Sequence, residues 1–324
     1  MNGLRAFAIP MPTRFRGITL REGALIEGPA GWAEFSPFPE YGPAECARWL
    51  ACALEAGWQG WPPAVRGAVP VNVTVPAVGP QQAHGIVTSS GCRTAKVKVA
   101  ERGQPAGDDI ARVEAVRDAL GPAGLIRVDA NGGWNVDQAV RMLGELRRFG
   151  LEYAEQPCAT VHELAALRRR VDIPIAADES IRRAEDPLAV RRAEAADIVV
   201  LKAQPLGGVR AALRVAQACG LPAVVSSAVE TSIGLAVGVA LAAALPDLPH
   251  ACGLATMSLL SGDVTAQPLV AQAGMLPVRR PDLDASRLAE WEIDPVPWRA
   301  RAAAAAQFLD PGFRRTGLLE TGLS

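Results

Sequence analysis

The feature that most constrains the fold is a regular alternation of β-type and α-type segments between Val69 and Leu254. Eight runs of apolar and β-branched residues occur there, and most are followed by an amphipathic stretch with helical spacing. Alternating strands and helices predict a parallel sheet. Eight such units in about 200 residues favour a closed (β/α) barrel over an open doubly wound sheet. No GxGxxG motif follows the first strand, which argues against a dinucleotide-binding fold.

The barrel strands are predicted from short β-rich runs at 69–75, 94–99, 125–129, 151–155, 173–178, 198–202, 222–227 and 250–254. Helices are predicted at 108–120, 136–149, 161–170, 186–193, 209–219 and 233–245. The first unit is the exception. No clear helix is predicted there, because residues 77–90 are rich in turn-forming residues.

The two ends of the chain have a different pattern. Residues 14–22 predict an extended segment that pairs with 23–28 in a hairpin, and 31–39 predict an aromatic, proline-broken loop. A helix is predicted at 44–56 and an Ala-rich helix at 301–309. We therefore expect a closed (β/α) barrel with a small α+β unit that the C-terminal segment completes. The parts are an N-terminal segment at 1–65, the barrel at 66–268 and a completing segment at 269–324.

Charge and cysteine usage restrict the class of protein. The chain has 33 basic and 34 acidic residues, so electrostatics gives no reason to expect a nucleic acid or an anionic membrane as partner. Its six cysteines form no CxxC pair and it has three histidines, which argues against a zinc cluster. Residues 1–5 lack the features of a signal peptide, and the apolar stretch 233–245 is too short to span a bilayer. We expect a cytoplasmic enzyme, either monomeric or homo-oligomeric.

Charged residues fall at or near the carboxyl ends of five consecutive predicted strands, separated by 23 to 31 residues. These residues are Lys98, Asp129, Glu155, Asp178 and Lys202. In a barrel, that phase places all five on one rim, the face that carries active sites in such folds. A structural ion-pair network is the alternative interpretation.

The residue types suggest a chemistry. Asp129, Glu155 and Asp178 would repel one another without a cation, and oxygen ligands without His or Cys suit Mg²⁺, or Mn²⁺. Lys98 and Lys202 would face each other across the metal. Burial and neighbouring positive charge disfavour a protonated lysine, which can then act as a general base. The predicted reaction is proton abstraction next to a carboxylate, with a metal-stabilised enolate.

The same residues carry a family resemblance. In chain order the motifs are Lys96-Val97-Lys98, Asp129-Ala130-Asn131, Glu155-Gln156-Pro157, Asp178-Glu179-Ser180 and Lys202. Together they resemble the enolase superfamily, in its muconate-lactonizing branch. The resemblance implies a (β/α)7β TIM-like barrel with an α+β capping domain formed from both termini. Further segments are similar to the o-succinylbenzoate synthases of that branch in their actinobacterial form. These segments are residues 14–22, 32–38, 71–77, 127–131 and 226–234.

The resemblance implies roles for individual residues. Asp129, Glu155 and Asp178 would bind Mg²⁺, and the substrate would be a small carboxylate, a succinyl-bearing hydroxycyclohexadiene carboxylate of menaquinone biosynthesis. Lys98 would remove the α-proton and return it to the departing hydroxyl in a syn dehydration. Lys202 would stabilise the enediolate by charge and by cation–π attraction.

Further substrate contacts are expected near the site, each with an alternative. Lys96 lies beside Lys98, and Ser226 and Ser227 end the seventh strand, where they could hold the succinyl carboxylate or simply cap the next helix. Asn131 would line the pocket or form a tight turn. Arg127 faces the same interior and could form an ion pair there. Contact is also expected from the capping residues Phe15, Arg16, Ile18 and Thr19.

Other functions remain open from the sequence. N-Acylamino acid racemisation needs two lysines on opposite faces, which Lys98 and Lys202 supply. Dipeptide epimerases carry an Asp-x-Asp after the eighth strand, and residues 252–257 have none. Nothing specific favours muconate cycloisomerisation. A non-catalytic binding barrel is the alternative from another class, although no expected lysine or carboxylate is missing. A Schiff-base aldolase would not need three clustered carboxylates.

Overall fold

A computed structural model describes residues 3–183, 186–310 and 313 of the chain. The chain begins with three antiparallel strands, β1 (Leu4–Phe15), β2 (Ile18–Gly28) and β3 (Gly31–Phe35). Helix α1 (Pro43–Leu54) follows and continues into a π-helical turn at Glu55–Gln59. This sheet packs its apolar face inward, and Phe7, Leu25 and Phe35 are fully buried.

Eight strands then form a parallel sheet in which each strand pairs with its sequence neighbour. They are β4 (Ala68–Val75), β5 (Thr94–Lys98), β6 (Leu125–Asp129), β7 (Leu151–Glu155), β8 (Ile175–Ala177), β9 (Ile198–Leu201), β10 (Ala223–Val225) and β11 (Cys252–Ala255). The last strand pairs with the first, and Ser226 bridges to Gly253, so the sheet closes into a barrel. The predicted (β/α)7β architecture is confirmed.

Helices connect the barrel strands. They are α2 (Pro80–Ser90), α3 (Ala106–Leu120), α4 (Val136–Leu146), α5 (Val161–Arg168), α6 (Glu179–Arg182), α7 (Ala189–Arg192), α8 (Ala203–Leu206), α9 (Val209–Cys219) and α10 (Ser232–Ala244). A 3-10 turn at Arg147–Phe149 extends α4, and another lies at Met257–Leu259. Helix α10 is buried on nearly all sides, in keeping with its Ala- and Gly-rich sequence.

The C-terminal part returns to the N-terminal sheet. Strand β12 (Met275–Pro277) pairs with β4, α11 (Ala285–Ala289) follows, and β13 (Glu292–Ile293) pairs with β1. Helix α12 (Val296–Ala306) then packs on the sheet, with the Trp298 ring edge-on to Phe35 at 5.9 Å. Across the described ranges, we find no helix that is both long enough and apolar enough to cross a membrane.

Three local predictions were wrong. A helix, α2, does fill the first unit: its turn-like residues are its ends, with Pro80 in the first turn and Gly91 at φ 66° after the last. The first hairpin turns at Arg16–Gly17, so residues predicted as two strands form the single strand β2. Residues 31–35 form a strand rather than a loop, because β3 pairs along β2.

Candidate active site

The barrel register brings the predicted site residues to one rim. Lys98 lies directly opposite Asp129, and Asp129 directly opposite Glu155, on three neighbouring strands. Glu155 pairs with Ala176, two residues before Asp178, and Lys202 follows the end of β9. The three carboxylates are almost completely buried, each no more than 1% exposed. The parallel register therefore turns residues 23 to 31 positions apart into a continuous row.

Each carboxylate in the row is paired with a lysine. The Lys98 ammonium donates to Asp129 Oδ2 at 2.6 Å, and the Lys202 ammonium donates to Asp178 Oδ2 at 2.5 Å. Lys96 lies between two acids, 2.7 Å from Glu155 Oε1 and 3.2 Å from Asp129 Oδ2. The chain contains only these three lysines among its 33 basic residues. That restriction is a signal in the sequence that points to the site without any motif.

The members of the row differ in the direction in which their pKa values are shifted. Burial and the charge of Asp129 raise the pKa of Glu155 to about 7. Burial also opposes ionisation of Asp129, but the ammonium groups of Lys98 and Lys96 outweigh it and hold that pKa well below its usual range. Burial lowers the pKa of Lys202 despite its ion pair with Asp178. The row therefore combines a carboxyl that is easily protonated with an ammonium group that is more easily deprotonated than in water.

The donor chemistry of the row suits a divalent cation. Its donor atoms are carboxylate oxygens on adjacent strands, as hard cations such as Mg²⁺ prefer. Within the described residues, no three Asp, Glu, His or Cys side chains are gathered as ready-made ligands. Lysine ammonium groups hold the oxygens instead. A cation that binds here must therefore displace the lysine ammonium groups from these carboxylate oxygens.

Asp178 has a second cationic partner, which the sequence analysis missed. Arg182 Nε donates to Asp178 Oδ1 at 2.9 Å, and Arg182 Nη1 donates to the Tyr41 hydroxyl at 3.1 Å. Arg16, in the first hairpin turn, donates to the same hydroxyl at 2.8 Å. The four-residue spacing from Asp178 to Arg182 was a usable signal for the first pair. Nothing in the sequence connects Tyr41 to either arginine.

Gln156 organises the motif on the next strand. Its side-chain oxygen accepts from the backbone N–H groups of Asp178 and Ser180, at 2.9 and 3.2 Å. Its nitrogen donates to the Ser180 hydroxyl at 2.8 Å. The glutamine of the Glu-Gln-Pro motif thus fixes the backbone that carries Asp178.

Asn131 forms the predicted tight turn and also contacts Lys98, while its role in lining the pocket stays a prediction. It adopts a left-handed turn conformation at φ 45°, and its side-chain oxygen accepts from the Lys98 ammonium at 2.6 Å. From the capping side, the Phe15 ring lies 5.1 Å from the same nitrogen. Lys98 therefore lies between the barrel rim and the first hairpin, and a substrate contact from Phe15 stays a prediction.

The two serines after β10 differ in their surroundings. The Ser227 hydroxyl donates to Glu230 Oε2, and it accepts from Val229 N and from the Thr256 hydroxyl, both at 2.8 Å. Its donor and both acceptor positions are used within the loop. Of the two serines, Ser226 therefore stays the candidate for substrate contact, and Ser227 stabilises the loop.

Arg127 lies beneath the row and not within it. It is fully buried, and its Nε donates to Glu152 Oε2 at 2.6 Å. Nη1 donates to the carbonyl of Ala251 and to Asn72 Oδ1, and the guanidinium lies 4.7 Å from the Tyr153 ring centroid. The ion pair predicted as its alternative role is present, and a substrate contact would require these bonds to break.

Two family models match most of the chain. The family described as Enolase C-terminal domain-like matches residues 80–282, and Enolase N-terminal domain-like matches residues 6–57. Among solved structures, the muconate lactonizing enzyme from Pseudomonas fluorescens complexed with muconolactone is similar at a TM-score of 0.76 and 22% identity. The match covers 90% of this chain and 98% of the chain of that enzyme. An N-succinyl Arg/Lys racemase from Bacillus cereus has the same TM-score at 19% identity, over 90% and 97%. At these identities the likeness shows the fold.

Sequence relatives are much more similar. A protein of Thermobifida fusca (strain YX) named o-succinylbenzoate synthase is 71% identical over 301 residues, which cover 93% of this chain and 95% of that protein. A protein of the same name from Mycolicibacterium smegmatis is 55% identical, and the match covers 91% of this chain and 94% of that protein. The resemblance seen in the motifs is thereby confirmed along nearly the whole chain. The chain belongs to the enolase superfamily and, within it, to the family of the o-succinylbenzoate synthases.

Proposed function

We propose that the chain is an o-succinylbenzoate synthase, a lyase of menaquinone biosynthesis. It would remove water from a succinyl-bearing hydroxycyclohexadiene carboxylate and leave an aromatic product. The observation that carries the proposal is the row of buried carboxylates with Lys98 and Lys202 on different members. Relatives of this name that are 71% and 55% identical support it. A cytoplasmic enzyme without nucleic-acid or membrane partners remains our prediction.

Lys98 is the proposed base. Its side chain is more exposed than that of Lys202, at 16% against 10%, so it has better access to a substrate at the rim. Its nitrogen takes the proton from the carbon next to the substrate carboxylate and returns it to the departing hydroxyl on the same face. The C–H and C–O bonds break, a ring double bond forms and water leaves, so no oxidant or reductant is needed.

Lys202 is the proposed electrostatic partner. As an ammonium group it would face the substrate ring and stabilise the negative charge that develops on the carboxylate. Lys96 and Asn131 would hold the substrate beside Lys98, and Ser226 would contact the succinyl end. Arg127 and Ser227 would support this site through the contacts that they make in the structure.

Asp129, Glu155 and Asp178 are the proposed ligands of Mg²⁺, or of Mn²⁺ in its place. When bound, the cation would supply positive charge that makes the neighbouring C–H bond more acidic. Lys96, Lys98 and Lys202 must release their carboxylates for this to happen. Because the chain has three lysines, ¹³Cε-lysine labelling gives three NMR signals. Mg²⁺ should shift all three, and unchanged signals would count against the proposed ligands.

Conservative lysine variants test the different roles proposed for Lys98 and Lys202. Lys98→Arg keeps a cation beside Asp129 but cannot act as a base near neutral pH, so product formation should disappear. Lys202→Arg keeps the charge that its role requires and should retain measurable dehydration. The assay follows the aromatic product in the presence of Mg²⁺. Absence of turnover by the wild type would refute the substrate assignment, and an active Lys98→Arg enzyme would refute the base.

N-Succinylamino acid racemisation is the second candidate, favoured by one observation. Burial lowers the pKa of Lys202, which suits a second base across the site from Lys98. Racemisation needs both lysines to exchange protons, so Lys98→Arg and Lys202→Arg should each abolish it. Conversion of one enantiomer of an N-succinylamino acid into the other, followed by optical rotation, measures this activity. Wild type without such conversion would exclude it.

A further inference from the structure

The loop after β10, residues 226–231, contains a strained residue at the rim of the barrel. Val229 has φ 63°, a left-handed conformation that is unfavourable for a β-branched side chain. It is also buried, with 3% of its surface exposed. We call residues 226–231 the β10 loop. Such a conformation persists only where surrounding contacts hold it in place.

Arg21, on β2 of the N-terminal sheet, supplies one of these contacts. Its Nε donates to the Val229 carbonyl at 2.9 Å, across 208 positions in sequence. Its Nη2 donates to the carbonyl and the hydroxyl of Ser36, at 2.6 and 2.8 Å, and Nη1 donates to the Glu22 carbonyl. Arg21 is 1% exposed, so the guanidinium joins the strained residue to the N-terminal sheet without competition from water.

Glu34, on β3, holds the other end of the loop. Its Oε2 accepts from the backbone N–H groups of Thr231 and Gly234, at 3.1 and 3.2 Å, and from the Thr231 hydroxyl at 2.5 Å. Thr231 precedes the first residue of α10 and makes no capping bond of its own. A carboxylate from the N-terminal sheet therefore caps a helix of the barrel.

The barrel holds the middle of the loop. Glu230 Oε2 accepts from the Ser227 hydroxyl and from Ala228 N, and Thr256 donates to the Ser227 hydroxyl. The bond from Thr256, the residue after β11, connects the loop to the barrel, and none of these bonds reaches the carbonyl of Val229. The hydrogen bond that reaches this carbonyl comes from Arg21, so the strained peptide depends on that guanidinium.

We propose that Arg21 and Glu34 are positioning residues for the reaction at the barrel rim. They hold the β10 loop in its strained form, so that Ser226 and the adjacent backbone are fixed beside the substrate. This inference rests on the proposed function for the identity of the reaction, but not for the behaviour of the loop. Docking of the N-terminal sheet is thereby coupled to the shape of the site.

The test first removes the Arg21 contact and then, in a second variant, removes the backbone strain at Val229 that the contact offsets. Arg21→Met should lower kcat/KM about tenfold or more, the size expected for a lost charge-assisted hydrogen bond, chiefly through a higher KM. Val229→Gly in the Arg21→Met background should restore most of it, because glycine adopts positive φ without strain. A role in folding alone predicts no such rescue. Unchanged kcat/KM in Arg21→Met, or a loss that Val229→Gly does not reverse, would overturn the proposal.

Arg117→Met is the matched control. Arg117 also binds backbone carbonyls, those of Phe149, Gly121 and Gly124, but on the far side of the barrel from the β10 loop. It should lower the melting temperature and leave kcat/KM unchanged. If Arg21→Met does not fold, Arg21→Lys, which keeps one donor, takes its place.

Hydrogen exchange tests the positioning role of Arg21 independently of the proposed function. In Arg21→Met, the amides of Val229 and Thr231 should exchange faster than in the wild type, and Val229→Gly should reverse the increase. This readout needs no substrate. If exchange behaves as stated while the wild type shows no dehydration, the proposed function fails and the positioning role stands. Equal protection in the wild type and in Arg21→Met refutes the positioning role.

Discussion

Glu34 should make the stability of the protein decrease as the pH rises towards neutrality. Burial raises the pKa of this carboxyl to about 7 from the ordinary value of 4.5, although Arg21 lies nearby and the hydroxyls of Ser36 and Thr231 donate to it. Glu34→Gln removes the titration. The amide can keep the main contacts, with its oxygen towards Thr231 and its NH₂ group towards the Ser36 hydroxyl.

The sign follows from linkage. A group whose pKa is higher in the folded state binds its proton more tightly there, so its stabilising contribution is complete below pH 4.5 and is lost as the pH rises through 7. A shift from 4.5 to about 7 corresponds to roughly 3 kcal/mol in all. Between pH 5 and pH 8 the wild type should therefore lose about 2–3 kcal/mol of unfolding free energy that Glu34→Gln does not lose.

Urea unfolding followed by circular dichroism at several pH values measures this difference. Subtracting the curve of Glu34→Gln from that of the wild type removes the contributions of all other titrating groups. Equal pH dependence in the two proteins would refute the argument. It would mean that the positive end of α10 keeps Glu34 ionised at its ordinary pKa despite burial.

Three further substitutions test the packing around the site by urea unfolding. Arg127→Met removes a buried guanidinium that bonds Glu152, Asn72 and the Ala251 carbonyl, while Glu152 keeps His250, so it should cost about 1–3 kcal/mol, and no measurable loss would contradict these contacts. Gly208→Ala places a Cβ against the Glu55 carboxylate, so it should cost about 1–3 kcal/mol more than Gly220→Ala, which also has positive φ but open space; equal losses would contradict the close approach. Tyr41→Phe leaves two guanidinium donors without their hydroxyl and should cost about 1–3 kcal/mol, and no loss would show that water replaces it.

The barrel could be predicted from sequence because its strands and helices are local patterns. The strand ends at Asp129 and Glu155 agree with the structure to the residue. The helix α2 was missed because Gly79, Pro80 and Gly91 look like turn residues, while they serve as its ends. Local composition cannot distinguish a series of turns from a short helix that begins and ends with turn-forming residues.

The site could be predicted in part. One residue per strand at a spacing of about one unit was enough to place the carboxylates and lysines on one rim. The contacts of Arg21 with Val229 and of Tyr41 with Arg182 join residues 208 and 141 positions apart. No periodicity links them, because they arise where the N-terminal sheet meets the barrel. The full use of the Ser227 hydroxyl within its loop was also invisible, since it depends on the geometry of Glu230 and Thr256.

The most direct test is product formation from the cyclohexadiene substrate by enzyme freed of divalent cations and then supplied with Mg²⁺. The wild type should be inactive in excess EDTA and should recover when Mg²⁺ is restored, whereas Glu155→Gln, which removes a proposed ligand charge, should not recover. Turnover by the wild type in excess EDTA, or full recovery by Glu155→Gln, would contradict a mechanism in which these buried carboxylates hold the cation that activates the substrate.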